Sequence, residues 1–320
     1  MRAFAIDHYG EAGSLRDLPV PVPDPDEVLV LVHAAGVNPI DWKVRDAVGR
    51  DKSRTFPFVL GQDFAGVIER GGRRDAGFSS GDTVFGIARR HGTYAENTTV
   101  PIADMAQPIA RIPTGLSDAQ AAALPTAGLT ALAALEALGV ASRTTLLIIG
   151  ASGAVGGFAV QIARARNAHV IGTGSSKNHT AVESLGANEV IDYDRADTVA
   201  AVKAAHPRGI DAILDLASPR EAIDRIASVL RPGGRIASAI GSVDEGRMAG
   251  RGLRGMNIEL SASPQSSPAG LEQLASLVIS RTISVRIQAE MPLPEAAEAL
   301  RLSKEEKITG KIILRISSPA

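Results

Sequence analysis

The apolar run Thr145-Leu-Leu-Ile-Ile149 leads directly into Gly150-Ala-Ser-Gly-Ala-Val-Gly-Gly157, and this stretch decides the fold. A glycine-rich turn from a buried strand into a helix gathers backbone N–H groups and the positive end of the helix dipole, which suits phosphate binding. Its glycine spacing departs from the usual GxGxxG fingerprint, so a purely structural turn is the alternative. If it binds a dinucleotide, the contacts are Gly150, Ala151, Ser152, Gly153, Ala154, Val155 and Gly156.

The end of the next apolar run indicates which nucleotide is bound. Val170-Ile171 leads to Thr173-Gly-Ser-Ser-Lys-Asn178, where a dinucleotide-binding unit contacts the adenine ribose. An NAD-binding unit holds the ribose hydroxyls there with Asp or Glu, but no acidic residue occurs between positions 158 and 182. Either this segment only caps the following helix, or its hydroxyls and cation bind the 2′-phosphate of NADP(H). We expect NADP(H), contacted by Ser175, Ser176 and Lys177.

Strands and helices alternate from Thr145 onward, which predicts an α/β fold with a doubly wound parallel sheet of the Rossmann type. Arg231-Pro-Gly-Gly234 predicts a turn. The glycine-rich residues 241–255 predict a mobile loop, which either closes over the cofactor through Gly241 or is a solvated linker. We place strands at 146–149, 170–171, 190–191, 213–216, 236–240 and 258–260, and helices at 155–166, 179–185, 198–205 and 221–230.

The residues before position 118 have a different pattern. Short alternating strands, such as Val28-Leu-Val-Leu-Val32, lie between turns rich in Pro and Gly, which predicts a compact and mostly antiparallel β domain. After residue 263 we expect one or two helices and a last strand over 311–316 that returns to this domain. The predicted organisation is a β domain at 1–120, a nucleotide-binding domain at 121–262 and a return to the β domain at 263–320.

Composition excludes several classes of function. With a net charge of −1 and 3% aromatic residues, the chain lacks the basic and base-stacking surfaces that bind nucleic acid. The absence of cysteine removes disulfides, thiol nucleophiles and thiolate zinc ligands. The least polar window, 119–141, is interrupted by Pro125 and Gly128, so we expect a buried helix and no membrane partner. The start, Met1-Arg-Ala-Phe-Ala-Ile-Asp7, predicts a strand rather than a secretion signal, which favours a cytoplasmic location.

Seven short motifs follow one another along the chain, namely Gly36-Val-Asn-Pro-Ile-Asp-Trp-Lys43, Pro57-Phe-Val-Leu-Gly-Gln-Asp-Phe-Ala-Gly66, Gly81-Asp-Thr-Val-Phe-Gly86, Gly92-Thr-Tyr-Ala-Glu96, Leu124-Pro-Thr-Ala-Gly-Leu-Thr-Ala131, the Gly150 turn, and Thr309-Gly-Lys-Ile-Ile313. Each is common alone, but their order and spacing resemble the medium-chain dehydrogenase/reductase superfamily, specifically its zinc-independent branch of quinone oxidoreductases and alkenal (enone) reductases. The resemblance covers nearly the whole chain and implies a Rossmann domain with a GroES-like catalytic β domain. It also explains the glycine turn, because that branch typically has Gly-Ala-x-Gly-x-Val-Gly there.

The resemblance implies a reaction without a metal ion. In zinc-dependent relatives a Cys occupies the place of Asn38 and a His that of Gln62, and the six histidines of this chain show no paired spacing. We expect His33 and His91 to be surface or packing residues. The implied chemistry is hydride transfer from NADPH to the β-carbon of an α,β-unsaturated carbonyl, or to a quinone, followed by protonation.

The resemblance also implies catalytic residues on the segment Asn38-Pro-Ile-Asp-Trp-Lys43. The substrate carbonyl would lie between the β domain and the Gly150 turn, within reach of this segment. Lys43 would polarise the developing enolate oxygen, Asp41 would orient Lys43, and Asn38 would donate a hydrogen bond. The alternative is that Asp41 and Lys43 form only an exposed ion pair.

Other residues take expected places by the same resemblance. Thr126 and Thr130 would lie near the nicotinamide, and Tyr193 would contact the 2′-phosphate unless it is only a half-exposed residue at a strand end. Tyr94 is expected to be buried rather than catalytic, and Trp42 to pack beside the site.

We therefore expect an NADPH-dependent enzyme with a small-molecule quinone or enone substrate and, by analogy with the family, a homodimer. A non-enzymatic NADPH-binding sensor or structural protein of the same fold is the alternative. The polar set Asn38, Asp41 and Lys43 argues against that alternative.

Overall fold

The structure is a computed structural model that describes residues 1–48, 51–71, 77–102, 108–305 and 308–317. It divides into two compact units. The first comprises Met1–Ala127, Ser266–Ile279 and Ile287–Ala320, and the second comprises Gly128–Gln265 and Ser280–Arg286.

The strands are β1 (Arg2–Ile6), β2 (Ser14–Asp17), β3 (Glu27–Val37), β4 (Phe58–Val59), β5 (Asp63–Gly71), β6 (Thr83–Ile87), β7 (Asn97–Pro101), β8 (Ile109–Arg111), β9 (Thr145–Ile149), β10 (His169–Gly174), β11 (Glu189–Asp192), β12 (Ile210–Asp215), β13 (Leu230–Ser238), β14 (Arg254–Asn257), β15 (Ile287–Pro292) and β16 (Lys311–Arg315). The helices are α1 (Pro39–Arg45), α2 (Asp118–Ala123), α3 (Pro125–Ala137), α4 (Ala154–Ala165), α5 (His179–Ser184), α6 (Thr198–Ala205), α7 (Ile223–Ile226), α8 (Glu245–Gly250), α9 (Pro268–Ile279) and α10 (Ala296–Glu305).

The first unit is mostly antiparallel, as the sequence predicts. Its larger sheet has the order β15-β16-β3-β5-β6-β8, with β7 also paired to β3, and a smaller sheet has the order β2-β1-β4. Its last strand, β16, pairs antiparallel with β3. Gly36, near the end of β3, lies opposite Asp63, the first residue of β5. The beginning of β16 lies beside Val37, so these three strand ends share one edge of the sheet.

The second unit contains the predicted Rossmann sheet. Its strands are all parallel and have the order β11-β10-β9-β12-β13-β14. Chain order reverses beside β9, and in such sheets the nucleotide lies at this switch point, beyond the carboxyl ends of the strands. The turn from β9 into α4 is therefore at the expected position. Buried aliphatic side chains such as Leu147, Ile171, Ile213 and Ile236 form the core around this sheet.

One local prediction in this unit is wrong and another needs a change of place. Residues 241–255 are not one continuous loop, because they contain α8 and the start of β14, which precedes the strand that the sequence predicts at 258–260. The side chains of Val243, Met248 and Leu253 are buried and hold the segment in place. A Cβ at Gly255 would lie 2.7 Å from Met248 Cγ, so this glycine allows close packing rather than mobility. The predicted turn at Arg231-Pro-Gly-Gly234 lies within β13, where it interrupts the pairing with β12. Leu230 pairs with Ile210 and Arg235 with Ala212, and Gly233 has a left-handed φ of +75°.

The apolar window at 119–141 forms two helices rather than one, because α2 ends before Pro125, where α3 begins. Its apolar side chains are almost all buried, as expected. In the described part of the chain, no helix is both long enough and apolar enough to cross a membrane.

Candidate active site

The segment 38–43, where catalytic residues are expected, forms the N-cap and most of the short helix α1. Its polar residues Asn38 and Asp41 lie in the first turn of that helix. Asn38 is the N-cap, Pro39 follows with its φ already suited to a helix, and Asp41 is the third helical residue. The Asp41 carboxylate accepts a hydrogen bond from the backbone N of Asn38 at 2.8 Å, which satisfies a donor that the helix start would otherwise leave unpaired. Asn38 and Asp41 are both buried, so they are held by the fold.

Asp63 is the centre of a buried polar cluster in the first unit. Its Oδ2 accepts from Nδ2 of Asn38 at 2.8 Å, and its Oδ1 accepts from the Thr126 hydroxyl at 2.6 Å and the Thr126 backbone N at 3.2 Å. A fully buried carboxylate needs such donors, because its charge has lost the solvation of water. Thr126 gives its one hydroxyl proton to Asp63, so towards a ligand that oxygen can only accept a hydrogen bond.

Lys311 supplies the positive charge of this cluster. Its Nζ donates to the carbonyl oxygen of Val37 at 3.0 Å and to Oδ1 of Asn38 at 2.7 Å, and it lies 3.5 Å from Oδ2 of Asp63. Burial lowers the pKa of Lys311, while the charges of Asp63 and Asp41 oppose that change. Both ends of the Asn38 amide are therefore occupied, the nitrogen by Asp63 and the oxygen by Lys311.

Asp41 is too deeply buried to orient Lys43 as a catalytic carboxylate would. It is fully buried and accepts a hydrogen bond from the hydroxyl of Tyr94 at 2.8 Å. Burial raises the pKa of Asp41 to about 7, and Oδ1 has no hydrogen-bond partner among the described residues. The predicted contact between Asp41 and Lys43 does not form, because residues two apart on a helix point to different sides. Tyr94 is buried as expected, and burial raises the pKa of its hydroxyl well above 10.

Lys43 is half-buried and lies against Trp42 instead. Its Nζ is 5.8 Å from the centroid of the indole ring, and Nζ of Lys304 is 5.7 Å from the same centroid. Lys304 also pairs with Asp46 at 2.8 Å. Trp42 is therefore the packing residue that the sequence predicts, with two cations near its ring.

The residues at the former zinc-ligand positions do not fit a zinc ion. The amide of Asn38 is committed within the Asp63 cluster, and Nε2 of Gln62 lies 3.2 Å from Nε2 of His91. Burial, with a smaller effect from the charge of Arg54, lowers the pKa of His91 to about 4, so this packing histidine is neutral. Zinc prefers thiolate, imidazole and carboxylate ligands to amides. Among the described residues, three His, Asp or Glu ligand atoms converge only elsewhere, at His169, Glu189 and His206.

The glycine turn of the second unit has the geometry of a phosphate cradle. Gly150 has a φ of +82°, a left-handed conformation that favours glycine, and its N donates to Oγ1 of Thr173 at 3.1 Å. A Cβ at Gly156 would lie 2.2 Å from the carbonyl oxygen of Gly150, so only glycine lets α4 start this close to the turn. Gly153 is the N-cap of α4, and the first turn of any helix leaves N–H groups available to an anion.

The structure places the three expected 2′-phosphate contacts in unlike environments. Ser175 is buried and its hydroxyl has no hydrogen-bond partner among the described residues. Lys177 is exposed. Ser176 is already engaged, because its hydroxyl donates to Asp192 at 2.6 Å and its backbone N donates to Asp194 at 2.9 Å.

Asp192 and Asp194 are acidic residues beside Ser176, one of the expected contacts of the 2′-phosphate. They lie beyond the stretch without acidic residues, which ends at position 182, but β11 lies beside β10 and brings Asp192 opposite Gly174. Tyr193 follows and is 38% exposed, and its backbone N donates to the carbonyl oxygen of Gly174 at 3.1 Å. Thr130, on α3, is buried, and Gly241 is exposed shortly after the end of β13.

Asp63, Lys311 and Asp215 are buried charged residues that sequence reasoning did not single out. Asp215 ends β12, is fully buried, and accepts hydrogen bonds from the hydroxyl of Ser242 at 2.6 Å and the backbone N of Ser218 at 2.9 Å. Asp215 thereby joins the segments that follow β12 and β13, at the C-terminal ends of the strands where the glycine turn also lies. The available signal was a charged residue at the first or last position of a strand, a pattern shared by all three.

Known proteins with similar sequence and structure agree with this description. Residues 24–112 match the family model described as alcohol dehydrogenase GroES-like domain, and residues 185–314 match the one described as zinc-binding dehydrogenase. The chain is 37% identical to the chloroplastic quinone-oxidoreductase QR1 of Triphysaria versicolor, over 68% of this chain and 69% of that protein. It is 31% identical to the chloroplast envelope quinone oxidoreductase homolog of Arabidopsis thaliana, over 98% of each. The crystal structure of Escherichia coli quinone oxidoreductase complexed with NADPH has a TM-score of 0.88 and 25% identity, over 98% of this chain and 100% of that one.

These similarities, over nearly the whole chain, define a class of proteins with a GroES-like domain and a nucleotide-binding Rossmann domain. This chain belongs to the quinone oxidoreductase family of the medium-chain dehydrogenase/reductase superfamily, as the sequence motifs indicate. The names of both plant relatives assign those proteins to the chloroplast, so the cytoplasmic location stays a prediction.

Proposed function

We propose that this protein is an NADPH-dependent oxidoreductase that reduces quinones or the activated C=C bond of α,β-unsaturated carbonyls, without zinc. The observation that carries the proposal is the cradle of Gly150 and Gly156, followed at the end of β10 by the buried hydroxyl of Ser175, which has no hydrogen-bond partner in the part of the chain that the structure describes. The relatives named as quinone oxidoreductases, and the NADPH complex of the Escherichia coli protein, support the same activity.

NADPH would supply the hydride when it is bound. The remaining tasks belong to the chain itself. The turn between β9 and α4 would bind the pyrophosphate through backbone N–H groups, while Ser175 and Lys177 would donate charge-assisted hydrogen bonds to the 2′-phosphate from a hydroxyl and an ammonium group. Asp215 would keep the rim of this site in one arrangement, since its carboxylate joins two of the segments that form that rim.

In the first unit, Asp63 would act as a positioning residue. It fixes the Thr126 hydroxyl as an acceptor and the Asn38 amide in one orientation, so neither group has to reorganise when a ligand arrives. We propose Lys43 as the group that stabilises negative charge on the substrate oxygen, because it is the cation of α1 that no carboxylate neutralises among the described residues. Asp41 has no direct part in this proposal, since it is buried against Tyr94.

A direct assay tests the activity. The purified protein, treated with EDTA, should oxidise NADPH in the presence of an ortho-quinone such as 9,10-phenanthrenequinone or a short alkenal such as but-2-enal. Failure with every quinone and enone, while NADPH still binds, would favour a non-enzymatic NADPH-binding protein. Activity that EDTA abolishes and zinc restores would contradict the metal-free reaction.

A pair of variants tests the role of Lys43. Lys43→Met should lower kcat for an enone about tenfold or more and leave NADPH affinity unchanged, as expected when an interaction of the transition state is lost. Lys304→Met is the control, because it removes the same charge from the same Trp42 ring. An equal loss of kcat in both variants would mean that the effect arises from the packing of Trp42.

The predicted homodimer remains part of the proposal. In the second unit, β14 is an edge strand of four residues, and an open edge can pair with a second copy of itself. Light scattering on the purified protein should give about twice the chain mass of 33.2 kDa. A mass equal to one chain at all concentrations would refute the dimer.

A further inference from the structure

Two histidines and a glutamate that are distant in sequence meet at one place on the second unit. Nε2 of His169 lies 2.5 Å from Oε1 of Glu189, and Nε2 of His206 lies 3.0 Å from the same oxygen. The two imidazole rings pack edge to face with their centroids 5.7 Å apart. All three ligand atoms lie within 4.8 Å of one another, so one ion could contact them after small side-chain rotations.

The backbone holds these three residues in rigid elements. His169 and Glu189 are the first residues of the adjacent parallel strands β10 and β11, and His206 caps the C-terminus of α6, where its N donates to the carbonyl oxygen of Val202 at 2.7 Å. Spacing along the sequence did not reveal the pair, because the two histidines lie on elements far apart in the chain. The two histidines meet only because β10 pairs with β11 and α6 follows β11 in the folded unit.

The cluster lies at the N-terminal ends of the parallel strands, whereas the nucleotide cradle lies beyond their C-terminal ends. His169 pairs with Thr145, the first residue of β9, whereas the cradle begins after Ile149, the last residue of that strand. Five residues of a strand span roughly 15 Å, so the two places are separate. The cluster therefore has no part in the binding of NADPH or in the proposed reduction.

We propose that His169, Glu189 and His206 form a binding site for a divalent transition-metal ion such as Zn²⁺. Two imidazoles and one carboxylate are a ligand set that zinc accepts in tetrahedral geometry, with water in the fourth position. Metal binding requires the lone pair of each Nε2, so the single proton of each neutral ring then lies on Nδ1. The ion would join β10, β11 and the end of α6, and it would stabilise the second unit without altering the reaction.

The test uses untagged, full-length protein stripped of metal with EDTA and then freed of the chelator. Titration with ZnCl₂ in a calorimeter should show one ion bound per chain, and Co²⁺ should give the visible absorption of a tetrahedral site. Saturation with Zn²⁺ should raise the melting temperature by about 3 °C or more. His169→Gln and His206→Gln should each weaken Zn²⁺ binding at least about tenfold, because an amide donates a hydrogen bond to Glu189 but is a poor zinc ligand.

Further variants separate a lost ligand from a damaged fold. Glu189→Gln keeps an acceptor for both imidazoles, and it should lose Zn²⁺ binding while its melting temperature without metal stays near that of the wild type. His179→Gln is the matched control, because His179 pairs with a single carboxylate, Glu183, at 3.3 Å and should bind Zn²⁺ as the wild type does. Binding that is absent in the wild type, or equal in all these variants, would overturn the proposal. Quinone reduction by the double variant H169Q/H206Q should equal that of the wild type.

Discussion

Two lysines in the first unit show how burial decides what a charge does. Lys311 is almost completely buried and donates to Val37 and Asn38 beside Asp63, whereas Lys43 is half-buried against an aromatic ring. A buried cation that neutralises a buried carboxylate contributes to folding, because its removal would leave that carboxylate without a counter-charge. An accessible cation without a carboxylate contributes little to folding and is available to a substrate.

Lys311→Met should therefore destabilise the protein by about 3–5 kcal/mol, because it leaves the carboxylate of Asp63 buried without its cation. Denaturant unfolding monitored by circular dichroism measures the change. Asp63→Asn in the Lys311→Met background should restore part of the loss, since an amide needs no counter-charge. A double variant no more stable than Lys311→Met alone would show that Lys311 acts through packing.

Asp41 predicts a pH dependence of stability. Its pKa is raised from the usual 3.8 to about 7 by burial, so its contribution to stability is present below pH 3.8 and is lost as the pH rises towards 7. Asp41→Asn cannot ionise and escapes this loss. The free energy of unfolding of Asp41→Asn, relative to the wild type, should rise by up to about 1.4 kcal/mol per pH unit between about pH 4 and 7. Parallel stability curves over that range would show that Asp41 titrates normally.

At this scale the sequence predicts identities better than contacts. It places Asn38, Asp41 and Lys43 in one segment, but it cannot show that the segment is a helix that separates Asp41 from Lys43. Asp63 and Lys311 acquire their importance from residues far away in the chain, and a single sequence contains no record of such contacts.

Two neighbouring glycines of α4 allow a sharp test of how the cradle is built. A Cβ at Gly156 would meet the carbonyl oxygen of Gly150 at 2.2 Å, whereas a Cβ at Gly157 has its nearest neighbour, Cδ1 of Leu185, at 3.6 Å. Gly156→Ala should separate α4 from the turn, destabilise the protein by roughly 1–3 kcal/mol and weaken NADPH binding about tenfold or more. Gly157→Ala should bind NADPH normally and gain up to about 1 kcal/mol of stability. Calorimetric titration with NADPH would decide, and normal affinity in Gly156→Ala would mean that this turn does not hold the pyrophosphate.

The ends of β10 and β11 carry opposing charges that should act on the choice of cofactor. Lys177→Ala should lower kcat/KM for NADPH about ten- to a hundredfold and leave NADH nearly unaffected. Asp192→Asn should act in the opposite direction and raise the preference for NADPH about tenfold, because it removes a carboxylate from Ser176 and releases Arg195 from a 3.6 Å ion pair. Kinetics with both cofactors measure these changes. A variant that alters NADPH and NADH use equally would show that its residue does not contact the 2′-phosphate.

At the scale of elements, the sequence predicts buried strands well because a short apolar run between turn residues is typical of a strand in a parallel sheet. The strand at 146–149 and the helix at 198–205 agree with β9 and α6. The glycine content of residues 241–255 gave a wrong prediction of a loop. A glycine that allows close packing, as Gly255 does against Met248, cannot be distinguished in a sequence from a glycine of a flexible loop. Elements whose packing depends on one or two side chains are therefore the least predictable.

At the scale of the whole chain, composition and motif order were sufficient to predict two kinds of domain and their family. What they could not supply were pairings across long separations, such as that of β3 with β16. The convergence of His169, Glu189 and His206 is another case. Such contacts depend on the order of the strands in the sheet, and local sequence patterns do not show that order.

The pairing of β3 with β16 also fixes an order of events during synthesis. All six strands of the second unit's sheet precede residue 258, so this sheet can form while the ribosome is still adding the C-terminal segment. The first unit emerges earlier, yet β3 lacks one neighbour and Asp63 lacks its cation until residues 311–315 have been made. Nascent chains stalled near residue 300 should therefore protect β9 and β12 from hydrogen exchange before β3. Equal protection of β3 at that length would show that the N-terminal segment folds without waiting for the strand made last.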